Sequence, residues 1–88
     1  MLGYTPPNMV WNFTQFLIRN NTPLYILAHD SESNVWITLH IIDGVKPFVD
    51  ISAGNKIVAE KTLTQETCES IMRDIYFTYL PNCVTDEE

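Results

Sequence analysis

Apolar and polar residues alternate most clearly between residues 34 and 43, NVWITLHIID. Val35, Ile37, Leu39 and Ile41 fall on one face of a strand, as a period of two requires. The other face carries Trp36, Thr38, His40 and Ile42, far from the polar surface that an antiparallel sheet normally turns to water. The preceding run, LYILAH at 24–29, alternates Leu24, Ile26 and Ala28 with Tyr25, Leu27 and His29. Four polar residues between the two runs, DSES, predict a turn. Pairing outward from that turn sets Ala28 beside Val35, Ile26 beside Ile37 and Leu24 beside Leu39, so that the aliphatic sets share one face. Tyr25, Leu27, Trp36, Thr38 and His40 then share the other.

The same reading carries through the next two runs. DGVKP offers Gly44 for a turn, and FVDIS at 48–52 puts Val49 and Ile51 on the aliphatic face and Phe48, Asp50 and Ser52 on the second. AGN is another turn. KIVAEK at 56–61 reads as a fourth, edge strand with a lysine at each end; either Ile57 with Ala59, or Val58, faces inward.

Helices flank the strands. Before them, Val10, Phe13, Phe16 and Leu17, with neighbouring Met9, form an apolar stripe at helical spacing, broadened by Trp11 and Ile18. Thr5 is the first candidate N-cap, with Pro6 at the first helical position, and Asn8 a later one. Asn20-Asn21-Thr22-Pro23 stops the helix. After the strands, Cys68, Ile71, Met72, Ile75, Tyr76 and Tyr79 follow helical spacing. Thr64 is the expected N-cap, Leu63 and Cys68 a staple, Glu69 and Arg73 an i,i+4 pair, and Pro81 the stop.

The order is therefore α-β-β-β-β-α. Short turns make the strands an antiparallel meander of three to four strands. Helices on one face bury Val35, Ile37, Leu39, Val49 and Ile51 beneath Phe13, Leu17, Ile71 and Ile75. The expected architecture is a two-layer α+β sandwich, one domain over residues 1–88, with 82–88 a flexible acidic tail.

Composition narrows the partners. At 88 residues and 45% hydrophobic the chain is one small globular domain rather than a disordered one. The formal net charge is −6, from 11 acids against 5 bases. No cluster of Lys and Arg exists to track phosphates, which argues against nucleic acid. No leader and no span-length apolar run occur, so the expected location is the cytoplasm with no membrane association and reduced thiols. Cys68 reads as a small core residue and Cys83 as an exposed one.

Candidate chemistry is sparse. His29 and His40 both fall on the second face but too far apart to share a metal. Asp50 lies across from His40, and the pair reads as a surface hydrogen bond before it reads as a proton-transfer dyad. No serine sits in a nucleophile elbow, and no phosphate loop or dinucleotide fingerprint is present. The expectation is no catalytic residues, no cofactor and no metal.

The second sheet face is the informative feature, because a contiguous apolar patch marks an interface and Trp and Tyr are frequent anchors. Tyr25, Leu27, Trp36, His40, Ile42 and Phe48 are the candidate partner-binding residues. A second copy of the chain, a different protein, or helix 1 crossing to that side are the three coverings to distinguish.

The α-β-β-β-α order resembles that of the double-stranded-RNA-binding domain, but that module needs a basic start to its last helix, and here the helix begins TQETCES. Size, acidity and element order also resemble some phage-encoded inhibitors of bacterial nucleases, and some bacteriocin immunity proteins are likewise small and acidic. The sequence-level reading is a small non-catalytic protein-interaction domain, self-associating as a homodimer through the apolar face. The alternative is an acidic inhibitor or immunity-type protein of phage or bacterial origin that docks on a basic protein such as a nuclease, steered by Asp30, Glu32, Asp43 and the tail.

Overall fold

In the computed structural model, which describes residues 4–81, a 3-10 turn (Pro7–Met9) leads into α1 (Val10–Arg19). Four strands follow, β1 (Leu24–Asp30), β2 (Val35–His40), β3 (Phe48–Ala53) and β4 (Lys56–Thr62), and then α2 (Cys68–Tyr79). The strands form one antiparallel meander in the order β1-β2-β3-β4. Both helices pack on the same face. Val35, Ile37, Leu39, Val49 and Ile51 are buried there with Val10 and Leu17 of α1 and Cys68, Met72, Ile75 and Tyr76 of α2, while Phe13 and Ile71 pack at the margin. The expected α+β sandwich is the observed one. Its thinnest dimension, 19 Å, is that of two layers.

The helix ends show how local chemistry sets the elements. Thr5 and Asn8 do not cap α1; the chain enters through the 3-10 turn after Pro6, and no side chain caps Met9. Thr5 is instead drawn to the sheet, where its N–H donates to the Leu27 carbonyl at 2.9 Å. The far end of α1 closes as the asparagines require. Asn21 takes φ 53, its N–H donates to Ile18 O at 3.2 Å, and the Thr22 N–H donates to Leu17 O at 3.0 Å. That is a Schellman closure, with Asn in the left-handed position. At the other helix the N-cap is Thr67 rather than the expected Thr64, with no side-chain cap bond; the two threonines instead bond reciprocally in the preceding turn, the Thr67 N–H donating to Thr64 Oγ1 and the Thr64 N–H to Thr67 Oγ1, both at 3.3 Å. Glu69 and Arg73 pair at 2.7 Å on the exposed side of α2.

The register of β1 differs from the expected one. The turn closes further along, at Asp30↔Val35, because Asn34 adopts φ 56 and the Asp30 carboxylate organises the loop, accepting from the Glu32 N–H at 3.1 Å and the Ser33 hydroxyl at 2.8 Å. Ala28 then pairs with Ile37. Between Ile26 and Ala28 the register shifts again, at a β-bulge. Leu27 is the extra residue, and it is fully buried in the core beside Ala28. Beyond the bulge the facing inverts: Tyr25 pairs with Leu39 and lies on the helix side, where its ring meets Phe13 edge-on at 4.6 Å. Leu24 pairs with His40 and Ile26 with Thr38, on the open side. Tyr25 and Leu27 are thus corrected from the second face to the helix-facing one. The bulge buries Leu27 beside small Ala28 and in exchange turns Leu24 and Ile26 to the open side.

A second bulge, with Val58 of β4 the extra residue opposite Ile51 and Ser52 of β3, settles β4: Ala59 pairs with Ile51 toward the core and Ile57 with Ser52 on the open side, while Ile57 and Val58 are both exposed. Gly54, at φ 66, occupies the first position of the two-residue β3–β4 turn, where an L side chain would be strained. Cys68 is a buried free thiol, and burial chiefly, with the Glu69 charge beside it, pushes its pKa up to about 11. Cys83 and the expected tail at 82–88 lie outside the described residues.

Two outcomes follow from the core. Leu27→Ala is expected to lose about 2–5 kcal/mol in urea denaturation, as a core truncation does; a loss below about 0.5 kcal/mol, the size of a surface change, would contradict the bulged register. In a Cys83→Ser background, Cys68 is expected to react with a thiol reagent at pH 8 only as fast as the protein opens, since the folded thiol holds its proton above the reference value of 9.0. Stability should fall as pH rises from about 9 toward about 11, where the unfolded thiol ionises and the folded one does not.

Candidate functional site

The candidate site is the sheet face opposite the helices. Its side chains follow from the observed pairs: Leu24, His40, Phe48 and Thr62 in one row; Ile26, Thr38, Asp50 and Glu60 in the next; His29, Trp36, Ser52 and Ile57 in the third. Every residue of β2 that points this way (Trp36, Thr38, His40) is half-buried, while those pointing to the helices are buried. Among the described residues no helix covers this face. Helix 1, whose breadth allowed for a crossing to this side, packs with α2 on the other.

Aromatic rings organise the surface. His29 stacks on Trp36, with centroids 3.6 Å apart and planes 18° from parallel. His40 stacks on Phe48 at 4.8 Å and 12°. His40 Nε2 also bonds to Asp50 Oδ2, the contact expected from the sequence. Asp50 is only 9% exposed although it stands on the open face, because His40, Thr38 and Glu60 crowd it from the neighbouring strands. Such a carboxylate needs its partner, since an unpaired buried charge is costly. The dyad accordingly holds the centre of the face in one arrangement.

Of the six candidate residues, the structure brings Trp36, His40 and Phe48 together on this face. Tyr25 and Leu27 lie on the helix side. Ile42 lies beyond the end of β2, 47% exposed, at the rim of a cleft of about 340 Å³ that Ile18, Pro23, Ile41 and Asp43 help to line. The β1–β2 ladder carries one bond past His40, from the Ile41 N–H to Pro23 O at 2.9 Å, and ends there because proline has no N–H to return. Leu24, Ile26, Ile57 and His29 take the vacated places, and the first three follow from the two bulges, for which the alternation carries no signal. The only sequence hint is small Ala28 beside Leu27, a place where two consecutive residues can share one face.

Charge is distributed unevenly. Among the described acids, only Asp50 and Glu60 stand on the open face, and Asp50 is held by His40. Lys56 and Lys61 pair with Ala53 and Val49 and so belong to the helix-side rows. Asp30, expected to steer docking, spends its carboxylate on the turn. Among the described residues no group of three His, Cys, Asp or Glu side chains is placed to hold a metal ion, and no helix is long and apolar enough to cross a membrane.

Comparison with protein-family models, with curated proteins and with solved structures finds no match to this chain.

Proposed function

We propose that the protein is a small non-catalytic interaction domain whose open sheet face docks on the same face of a second copy. One observation carries the reading: a sheet face with Leu24, Ile26, Trp36, Phe48 and Ile57 on it, and no helix over it among the described residues. Apolar sheet faces are ordinarily covered, and sheet-on-sheet packing at about 10 Å is the usual way to cover one with another.

Charge and area favour a second copy as the occupant. A chain of net charge −6 meets its own copy best through its least charged surface, and the acid-bearing turns and the outer side of α2 would stay apart in a face-to-face pair. The same distribution weighs against a basic partner on this face, since such a partner would find little there to pair with. Four strands at about 4.8 Å and six residues at about 3.4 Å give a footprint of roughly 19 by 20 Å. With side-chain relief this lies at the low end of specific interfaces, which points to a concentration-dependent dimer rather than an obligate one.

The test is Trp36→Asp, read by sedimentation equilibrium and by urea denaturation. The expected outcome is a folded monomer, with the dimer Kd raised by about 30-fold or more, the loss of a central aromatic anchor. Wild-type protein that stays monomeric at millimolar concentration would refute self-association.

A further inference from the structure

We propose that residues 4–7 form a strap that guards the outer edge of β1, and that releasing the strap opens this edge to strand addition by a second copy of the chain. The open face plays no part in this. The sheet ends in β1 on one side and β4 on the other, and the two edges differ in what protects them. An unpaired edge is a template for another chain, and lysines, prolines, bulges or a covering segment blunt it. β4 carries exposed Lys56, Glu60 and Lys61 and bulges at Val58.

β1 has no such charges along most of its length. Residues 24–29, LYILAH, contain no acid, no lysine or arginine, no proline and no glycine. Short, uncharged, apolar runs of this kind add to other strands most easily. The bulge at Leu27 does not blunt the edge by itself, because Leu24, Tyr25 and Ile26 before it pair regularly with β2. Leu24 and Tyr25 are exposed. Two copies can meet along this run without placing like charges opposite one another.

What stands beside β1 is the strap. Leu27 has no partner in β2, and its carbonyl accepts from the Thr5 N–H at 2.9 Å. The Thr5 carbonyl is held in turn by the Tyr76 hydroxyl at 2.7 Å, and the Tyr4 ring packs on Tyr76 at 4.9 Å. The single edge bond is therefore pinned to the last helix. Pro6 and Pro7 come next, and neither has an N–H to offer a further strand. Pro6, at φ −59 and ψ 143, is in the polyproline II conformation. A segment that pairs once and then presents two prolines occupies the edge without becoming a new one. Without the Thr5 N–H, the Leu27 carbonyl lacks its donor, and an incoming backbone N–H satisfies it. Strand addition works through such backbone bonds and alternate side chains, which the same run of a second copy supplies.

The experiment is sedimentation velocity of the full chain in a Trp36→Asp background, which removes the face contact proposed above and keeps the two readings apart. Thr5→Pro removes the edge N–H outright. Tyr76→Phe keeps the buried ring and removes only the anchoring hydroxyl. Circular dichroism confirms the fold of each. Each strap variant is expected to associate at least about tenfold more tightly than Trp36→Asp alone. Adding Ile26→Lys, which puts a charge on β1, should return it to the behaviour of that parent. In Tyr76→Phe the Thr5 amide should also exchange its hydrogen at least about tenfold faster. The same strap variants in the wild-type chain should run larger than the wild type. A folded Thr5→Pro chain that associates no more than its parent overturns the guard. If Thr5→Pro does not fold, Tyr76→Phe decides: unchanged Thr5 exchange, or faster exchange with no added association, overturns it. Association that survives Ile26→Lys overturns β1 as the site. A wild-type chain that is monomeric throughout removes the face reading and leaves this one to the strap variants.

Discussion

The Tyr76 hydroxyl donates to the Thr5 carbonyl at 2.7 Å, and the Thr5 N–H donates to the Leu27 carbonyl at 2.9 Å. This two-bond relay ties the last helix, the segment before α1 and the bulge of β1 into one unit. Much of the fold depends on it. A bulge interrupts the ladder and leaves backbone groups to be satisfied, and Thr5 answers one of them. Tyr76 is fully buried, and burial chiefly, with Tyr4 nearby, pushes its phenol above the ordinary value, so the hydroxyl is available as a donor. Tyr4 packs on the same ring at 4.9 Å. With the bulge fixed in this way, Leu27 and Ala28 can both face the core, and the residues before them, Leu24 and Ile26, turn to the open side.

Element dimensions explain why one face stays uncovered. A helix with its side chains is about 10 Å across, and four strands span about 19 Å. Two helices therefore cover one face of this sheet and no more. Both lie on the same side because a short link joins α1 to β1 and Leu63, buried in the core, leads β4 into α2. Among the described residues both helices are spent on one face, and no third helix lies on the other. That face nevertheless carries Trp36, Phe48, Ile26 and Ile57, with Asp50 and Glu60 the only described acids among them. The mismatch between its chemistry and its exposure is the strongest functional signal in the molecule.

The two histidines on that face share a residue type and a flat aromatic neighbour but differ in charge environment. His40 and Asp50 are neighbours across β2 and β3 and bond to one another; His29 sits in the last row of β1, in the same row as Trp36, Ser52 and Ile57.

The sequence by itself determined the class and the layout. Alternation in 35–41 and 48–52 identified the buried row of β2 and β3, helical spacing identified the stripe of α2 and the buried Val10 and Leu17 of α1, though Met9, Phe16 and Ile18 of the expected α1 stripe are exposed, and Asn21 and Glu69–Arg73 acted as their types predict, because each of these is a local property of spacing or of one side chain. The His40–Asp50 contact was legible for the same reason, once strands two and three were in register. Tertiary structure alone decided the side taken by Tyr25, Leu27, Leu24 and Ile26. Alternation assumes an uninterrupted pleat, and one extra residue inverts everything beyond it. Whether a strand bulges depends on distant partners: the space beside Ala28, the N–H of Thr5 and the hydroxyl of Tyr76, which lies 71 residues from Thr5 in the chain. No local pattern encodes that meeting, which exists only once both ends of the chain have folded against the sheet.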